Sequence, residues 1–277
     1  DLTQAVQVRD MQAMRRATVQ SVALMQSAER PVIVQALRRG ADGVLEARHM
    51  LHANQLTLSP DAGGRLVGQG PGWYRGWMIP KSDGPLSGRQ NQSAKDPNER
   101  SITGIHLVFN DSMQGDLYAR KLDFLRGVRV GVRSVESWEA VFDAQKMDAI
   151  SVGESTLDCD RLRFNVEPGF DNSRRLAGTP TPWEMEANSG VVFRTRNDSG
   201  LLEGTASRAS YSSSKDLFTV EGAPNEPAIF RQTRADGSAG PEGAVRTMSI
   251  RPGTMKVENA VIERLNIATP PQTFRKK

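Results

Sequence analysis

Three histidines, one cysteine and a few paired carboxylates are the side chains whose types and spacing most readily suggest chemistry in this 277-residue chain. His49 and His52 lie in a segment that reads as a strand, and a separation of three puts them on opposite faces, so they cannot share an ion as an i, i+4 helical pair would. His106 stands apart from both, an ordinary surface or rim histidine. In Asp158-Cys159-Asp160 the two carboxylates share the face opposite the thiol, which points to a small buried cysteine rather than a nucleophile or a metal ligand. Glu184 and Glu186 would serve glycoside chemistry only if a cleft held them. Gly68, Gly70 and Gly72 look like a phosphate-cradling loop, but Pro71-Gly72-Trp73-Tyr74 stands where the dinucleotide fingerprint needs a helix to open. With no Gly-x-Ser-x-Gly elbow, Walker loop or zinc spacing, the chain reads as a non-enzyme that needs no cofactor and no metal.

Composition points the same way. The net charge of +4 is spread over pairs such as Arg15-Arg16, Arg38-Arg39 and Arg174-Arg175, with a small cluster at Arg275-Lys276-Lys277. Scatter of this kind solvates a surface, and without aromatic side chains interleaved in a basic stripe no nucleic-acid partner is expected. An apolar fraction of 38% with 6% aromatics favours a thin core of Val, Leu, Met and Ala over a thick globule. No apolar run approaches the roughly 18 residues of a membrane-spanning helix. The single cysteine excludes an internal disulfide and leaves the redox compartment unread.

The elements that must carry any site are strands. Between Gly204 and Glu258 one pattern occurs twice. Ala209-Ser210-Tyr211, a turn at 212–216 and Leu217-Phe218-Thr219-Val220-Glu221-Gly222 form the first copy; Met248-Ser249-Ile250, a turn at 251–254 and Met255-Lys256-Val257-Glu258 form the second. Each hairpin alternates apolar with polar residues and so offers one apolar face, which two strands alone cannot bury. Units repeating at roughly 40 residues that stack to hide such a stripe define a β-solenoid or an open β-roll.

Along the chain, 1–29 is ambiguous and leans to strands, and Pro31 to Leu37 is extended. Residues 44–58 switch apolar parity once, as a β-bulge in one long strand would make them do. Trp73, Tyr74 and Trp77 are expected to cap one end of the stack, and 80–100 reads as a polar loop or linker. Strands follow at 105–109, 122–132 and 159–166, with a turn or two of helix within 134–147, and a second polar loop covers 167–183. Asn197-Asp198-Ser199-Gly200 makes a hairpin turn, one strand runs through Ala228 to Arg231, and 269–277 forms a frayed tail.

The repeated unit resembles the OstA-like domains of the lipopolysaccharide-transport family (LptA, LptC and the N-terminal region of LptD). The matching residues are Ala53, Leu56, Leu58, Leu66 and Gly70, then Arg208, Ala209, Tyr211, Phe218, Val220, Glu221 and Gly222, and more loosely Leu162, Phe164, Met248, Ile250, Met255 and Val257. They cover about half of the chain. The resemblance implies an open β-jelly roll, or β-taco, whose apolar trough carries acyl chains in the periplasm or cell envelope, with edge strands open to self or to other OstA-like proteins. It divides the chain into β-regions at 1–79 and 101–268.

The resulting expectation is an all-β stack of antiparallel hairpins, a non-enzyme that binds or relays lipopolysaccharide or a similar lipid. The trough is expected to be lined by Leu56, Leu58, Leu66, Leu122, Phe124, Val128, Val130, Leu162, Phe164, Tyr211, Phe218, Val220, Ile250, Met255 and Val257. The alternative reading is a scaffold that assembles through its edge strands with no lipid.

Overall fold

The computed structural model describes residues 22–25, 32–40, 43–59, 64–79, 102–116, 118–166, 182–251 and 256–266. The polar segments 80–100 and 167–181 and the tail 269–277 lie outside these residues. Sixteen strands in antiparallel pairs make one continuous sheet: β1 (Val22–Met25), β2 (Val32–Arg39), β3 (Leu45–Ala53), β4 (Gln55–Ser59), β5 (Arg65–Gln69), β6 (Gly72–Met78), β7 (Ile102–Phe109), β8 (Ser112–Asp116), β9 (Lys121–Val135), β10 (Ser155–Val166), β11 (Trp183–Asn197), β12 (Gly200–Ser212), β13 (Leu217–Glu221), β14 (Ala228–Arg234), β15 (Ala239–Arg251) and β16 (Lys256–Asn266). The all-β architecture expected from alternation is what forms, in a jelly-roll or taco-like arrangement.

The sheet is creased along its length, so that two ladders face each other. One arm runs β1-β4-β5-β8 and continues through one half of each long strand β9 to β12 to β13, β15 and β16. The other runs β2-β3-β6-β7, through the opposite halves of β9 to β12, to β14 and on to the other ends of β15 and β16. β6 and β7 pair directly, so hydrogen bonding continues from the strands before residue 80 to those after residue 101.

The crease is written in residues that interrupt the pleat. Registers slip around Asp160, between Asn188 and Val191 and between Ala244 and Thr247. Arg126 and Gly127 (φ 60° and 56°) bend β9, and Ser189 and Gly190 (φ 63° and 61°) bend β11. The chain also steps between arms at Asn54, at Gly70-Pro71 and at Asn110-Asp111. Here Gly70 N–H donates to the Asp111 carbonyl at 2.6 Å, the Asn54 amide donates to the Gly70 carbonyl at 2.9 Å, and Asn110 N–H donates to the Arg126 carbonyl at 2.9 Å.

Two expectations are corrected by this geometry. The parity switch within 44–58 is not a bulge in one strand. β3 ends at Ala53, Asn54 crosses the crease, and β4 begins in the other arm, which reverses the inward face. The aromatic group at 73–77 caps nothing: it lies in β6, an interior strand flanked by β3 and β7. Trp77 is held on the outer face, its indole N–H donating to the Ala140 carbonyl at 2.8 Å.

Candidate functional site

Cross-strand registers show why the predicted trough residues belong together. Leu58, Leu66, Gly115, Leu122, Phe164, Met185, Tyr211, Phe218, Ile250 and Val257 are successive partners, one row across the first arm nearest its open rim. Leu56, Gly68, Met113, Phe124, Leu162, Ala187, Ala209, Val220 and Met248 form the next row inward. Val128 and Val130 belong to the opposite arm, where Leu107, Val130, Leu157, Phe193, Gly204, Phe230, Gly243 and Leu265 make the facing row. The arms touch: the Phe193 ring meets the Phe218 ring edge-on at 5.7 Å between centroids. Met255 lies outside the described residues.

Through the middle of the stack the space between the arms is filled. Leu107, Phe109, Met113, Phe124, Val128, Leu162, Val220 and Met248 are all under 2% exposed. Leu58, Leu122, Phe164 and Phe218, nearer the rim, are half-buried against that core. At the β16 end the filling gives way to a cleft of about 280 Å³ lined by Leu202, Phe230, Gln232, Pro241, Val245, Met248, Ile250, Val257, Ala260, Ile262 and Leu265. Both arms contribute. Val257 and Ile262 are each 50% exposed on the terminal strand, so this wall of the cleft is also a surface.

Of the predicted trough residues, Ile250 and Val257 line this cleft; Leu56, Leu66, Phe124, Val128, Val130, Leu162, Tyr211 and Val220 sit in the filled interior. Sequence reasoning missed the rest of the lining: Leu202, Phe230, Gln232, Pro241, Val245 and Met248, and on β16 Ala260, Ile262 and Leu265. The signal on β16 is the apolar set Val257, Ala260, Ile262 and Leu265, whose spacing changes from three to two to three because β16 slips register against β15.

The titratable groups fall elsewhere. His49 faces inward at the β2 end, its Nδ1 2.7 Å from the Tyr74 hydroxyl, and burial, reinforced by the Arg38 charge, lowers its pKa to about 4. Burial pushes the Tyr74 phenol up. His52 is on the other face, stacked on Trp73 at 5.4 Å, so the two histidines are apart as their spacing requires. Cys159 is buried in the core, and burial, followed by the charges of Asp158 and Asp160, pushes its thiol up to about 12. Glu186 is engaged by Arg208 at 3.3 Å and by the Asn188 amide at 2.9 Å. Burial alone would raise the Asp123 carboxyl, but hydrogen bonds from Arg163 (2.7 Å) and Arg161 (3.2 Å) outweigh it and hold the group below the usual carboxylate range. Among the described residues no group of three or more His, Cys, Asp or Glu side chains is placed to hold a metal ion, and no helix is long and apolar enough to cross a membrane.

The fold and site thus define, among the described residues, a creased, two-armed antiparallel β-stack with an apolar cleft at its β16 end. The sequence matches no protein-family model and no curated protein.

Proposed function

We propose that this is a non-enzymatic protein of the cell envelope or periplasm that binds an amphipathic lipid, of the lipopolysaccharide type, by its acyl part. One observation carries the reading: the apolar rows between the arms end in a cleft of about 280 Å³ whose walls are contributed by both arms. Burial of an acyl chain there is favourable by about 0.8 kcal/mol per methylene before ordering costs. The resemblance of the hairpin repeats to OstA-like domains supports the same class of ligand and the same compartment.

The test uses Val257→Asp and Ile262→Asp on exposed β16, where a carboxylate is tolerated by the fold but not by an acyl chain. Native mass spectrometry of protein purified from a lipopolysaccharide-producing host should show bound lipid on the parent chain and none on the double variant. Equal lipid on a folded double variant overturns the reading, as does lipid-free parent protein.

A second reading, self-assembly or pairing with another OstA-like protein through strand edges, is favoured by a separate observation. β16 is eleven residues long, exposed along almost its whole length, and hydrogen-bonds only to β15 among the described residues. A lipid-free scaffold must grow with concentration in light scattering, whereas a carrier stays monomeric with its lipid bound.

A further inference from the structure

We infer that the end cleft takes one unbranched acyl chain of about ten carbons, with its carbonyl or carboxyl end held by Gln232. The inference rests on the lipid-binding reading and sharpens it.

Size comes first. Pockets for drug-sized ligands run from about 300 Å³ upward, and this cleft, at about 280 Å³, falls just below that range. If a methylene occupies roughly the 30 Å³ that a water takes in the liquid, one chain of about nine or ten carbons fills it. A second chain has no room, because beyond the cleft the interior is occupied by side chains such as Val220 and Phe124 that are almost wholly buried.

Polarity comes second. Ten of the eleven lining residues are apolar; Gln232 is the exception. Gln232 pairs with Leu202 across the β12–β14 ladder, two residues before Arg234 ends β14 at the open rim. Its side chain is half-buried and makes no hydrogen bond among the described residues. A primary amide both donates and accepts without carrying charge, so it suits an ester, amide or carboxyl oxygen. The cleft lining contains no cation, so a phosphate would find no counter-charge within it and stays outside in water. The rim placement of Gln232 orients the ligand: polar end at the rim of the second arm, chain running inward past Phe230 toward Val245 and Met248.

Isothermal titration of the full chain with decanoate, and with decyltrimethylammonium as a chain of equal length lacking a carbonyl, tests this. Decanoate should bind at one per protein. Gln232→Leu should weaken decanoate about fivefold, the worth of one hydrogen bond, and leave decyltrimethylammonium unchanged, while Val257→Asp should weaken both. Stoichiometry of two or more, or an equal effect of Gln232→Leu on both probes, overturns the inference. If decanoate fails to bind while native mass spectrometry still finds a multi-chain lipid sensitive to Val257→Asp, the single-chain inference falls and the lipid reading stands. If neither binds, both fall.

Discussion

Several strand glycines in this protein are spaces already taken by a neighbour's side chain. A Cβ at Gly204 would come within 2.6 Å of the Phe193 ring and 2.3 Å of the Ile229 carbonyl; at Gly243 it would meet the Phe230 ring at 3.0 Å, and at Gly68 the Met113 side chain at 2.6 Å. Gly204 sits between Phe193 and Phe230 in the facing row, so its missing side chain lets the two rings lie across the ladder. Gly204→Ala therefore has to displace a packed ring or a backbone carbonyl, at a cost of about 1–3 kcal/mol. Urea unfolding should show a lower midpoint at unchanged slope; an unshifted midpoint would mean that the ring is free to move. Cys159 is a built-in probe of the same interior. With its thiol buried and its pKa pushed up to about 12, it should resist a thiol-alkylating reagent at neutral pH and react fully once the chain is unfolded in urea. Stoichiometric labelling of the native protein would show the crease open at β10.

At the scale of elements, the segment between β9 and β10 is a clasp on the outer face of the second arm. Its 3-10 turn, Ala144–Lys146, closes over Gly131, where a Cβ would come within 2.5 Å of the Met147 sulfur. Arg48 donates to the Trp138 carbonyl at 3.1 Å, Arg129 donates to the Met147 carbonyl at 3.3 Å and to Asp148 at 3.0 Å, and Arg133 reaches Glu154 at 3.3 Å. His106, expected at the surface or rim, is instead buried beneath it, 4% exposed, its Nδ1 accepting from Ala144 N–H at 3.0 Å. That bond requires the neutral ring. Burial and the Arg75 charge lower the His106 pKa to about 4 against the opposing pull of Asp143, 3.8 Å away; Arg133 stands over the adjoining Phe142. Since the folded pKa lies below the ordinary 6.5, the stabilisation is complete above pH 6.5 and is lost progressively as the pH falls toward 4, on the order of 3 kcal/mol in all. Hydrogen-exchange protection factors across residues 138–150, taken relative to the intrinsic rate at each pH, should fall over that window, and His106→Gln should flatten the pH dependence; identical protection at pH 7 and pH 4.5 would rule the clasp insensitive. This element was hardly legible in the sequence. Trp138, Phe142, Met147 and Ile150 follow neither a two-residue nor a 3.6-residue period; Phe142 packs over Gly104 and His106 and Met147 over Gly131, so these two answer to the sheet surface below rather than to their own chain. The strands were legible because burial on one face imposes alternation, and the rows of the first arm follow from it. A step between arms at Asn54 leaves the same parity slip as a bulge does, so the crease could not be read.

For the whole molecule, the creased stack behaves as a line of rungs in which each strand is held chiefly by its two neighbours. The rungs are unequal. β10, β11 and β12 are 12 to 15 residues long and paired along both edges and in both arms, and they bury Leu157, Leu162, Ala187, Val191 and Ala209. Among the described residues β16 pairs on one edge only and half-buries a single residue, Ala260; β2, at the other end of the second arm, fully buries only Val32. Opening a central strand therefore breaks two ladders and uncovers core, whereas opening a terminal one breaks one ladder and uncovers little. Native-state hydrogen exchange should show a gradient, with amides of β10 and β11 exchanging only through global unfolding and those of β2 and β16 through local opening at far lower free energy. If β16 closes one wall of a ligand site, decanoate should slow exchange in β14, β15 and β16 and leave β2 unchanged, since the former strands line the cleft and β2 does not. Uniform protection from end to end would show a single cooperative block in place of a stack, and ligand protection appearing at β2 would move the binding site to the opposite end.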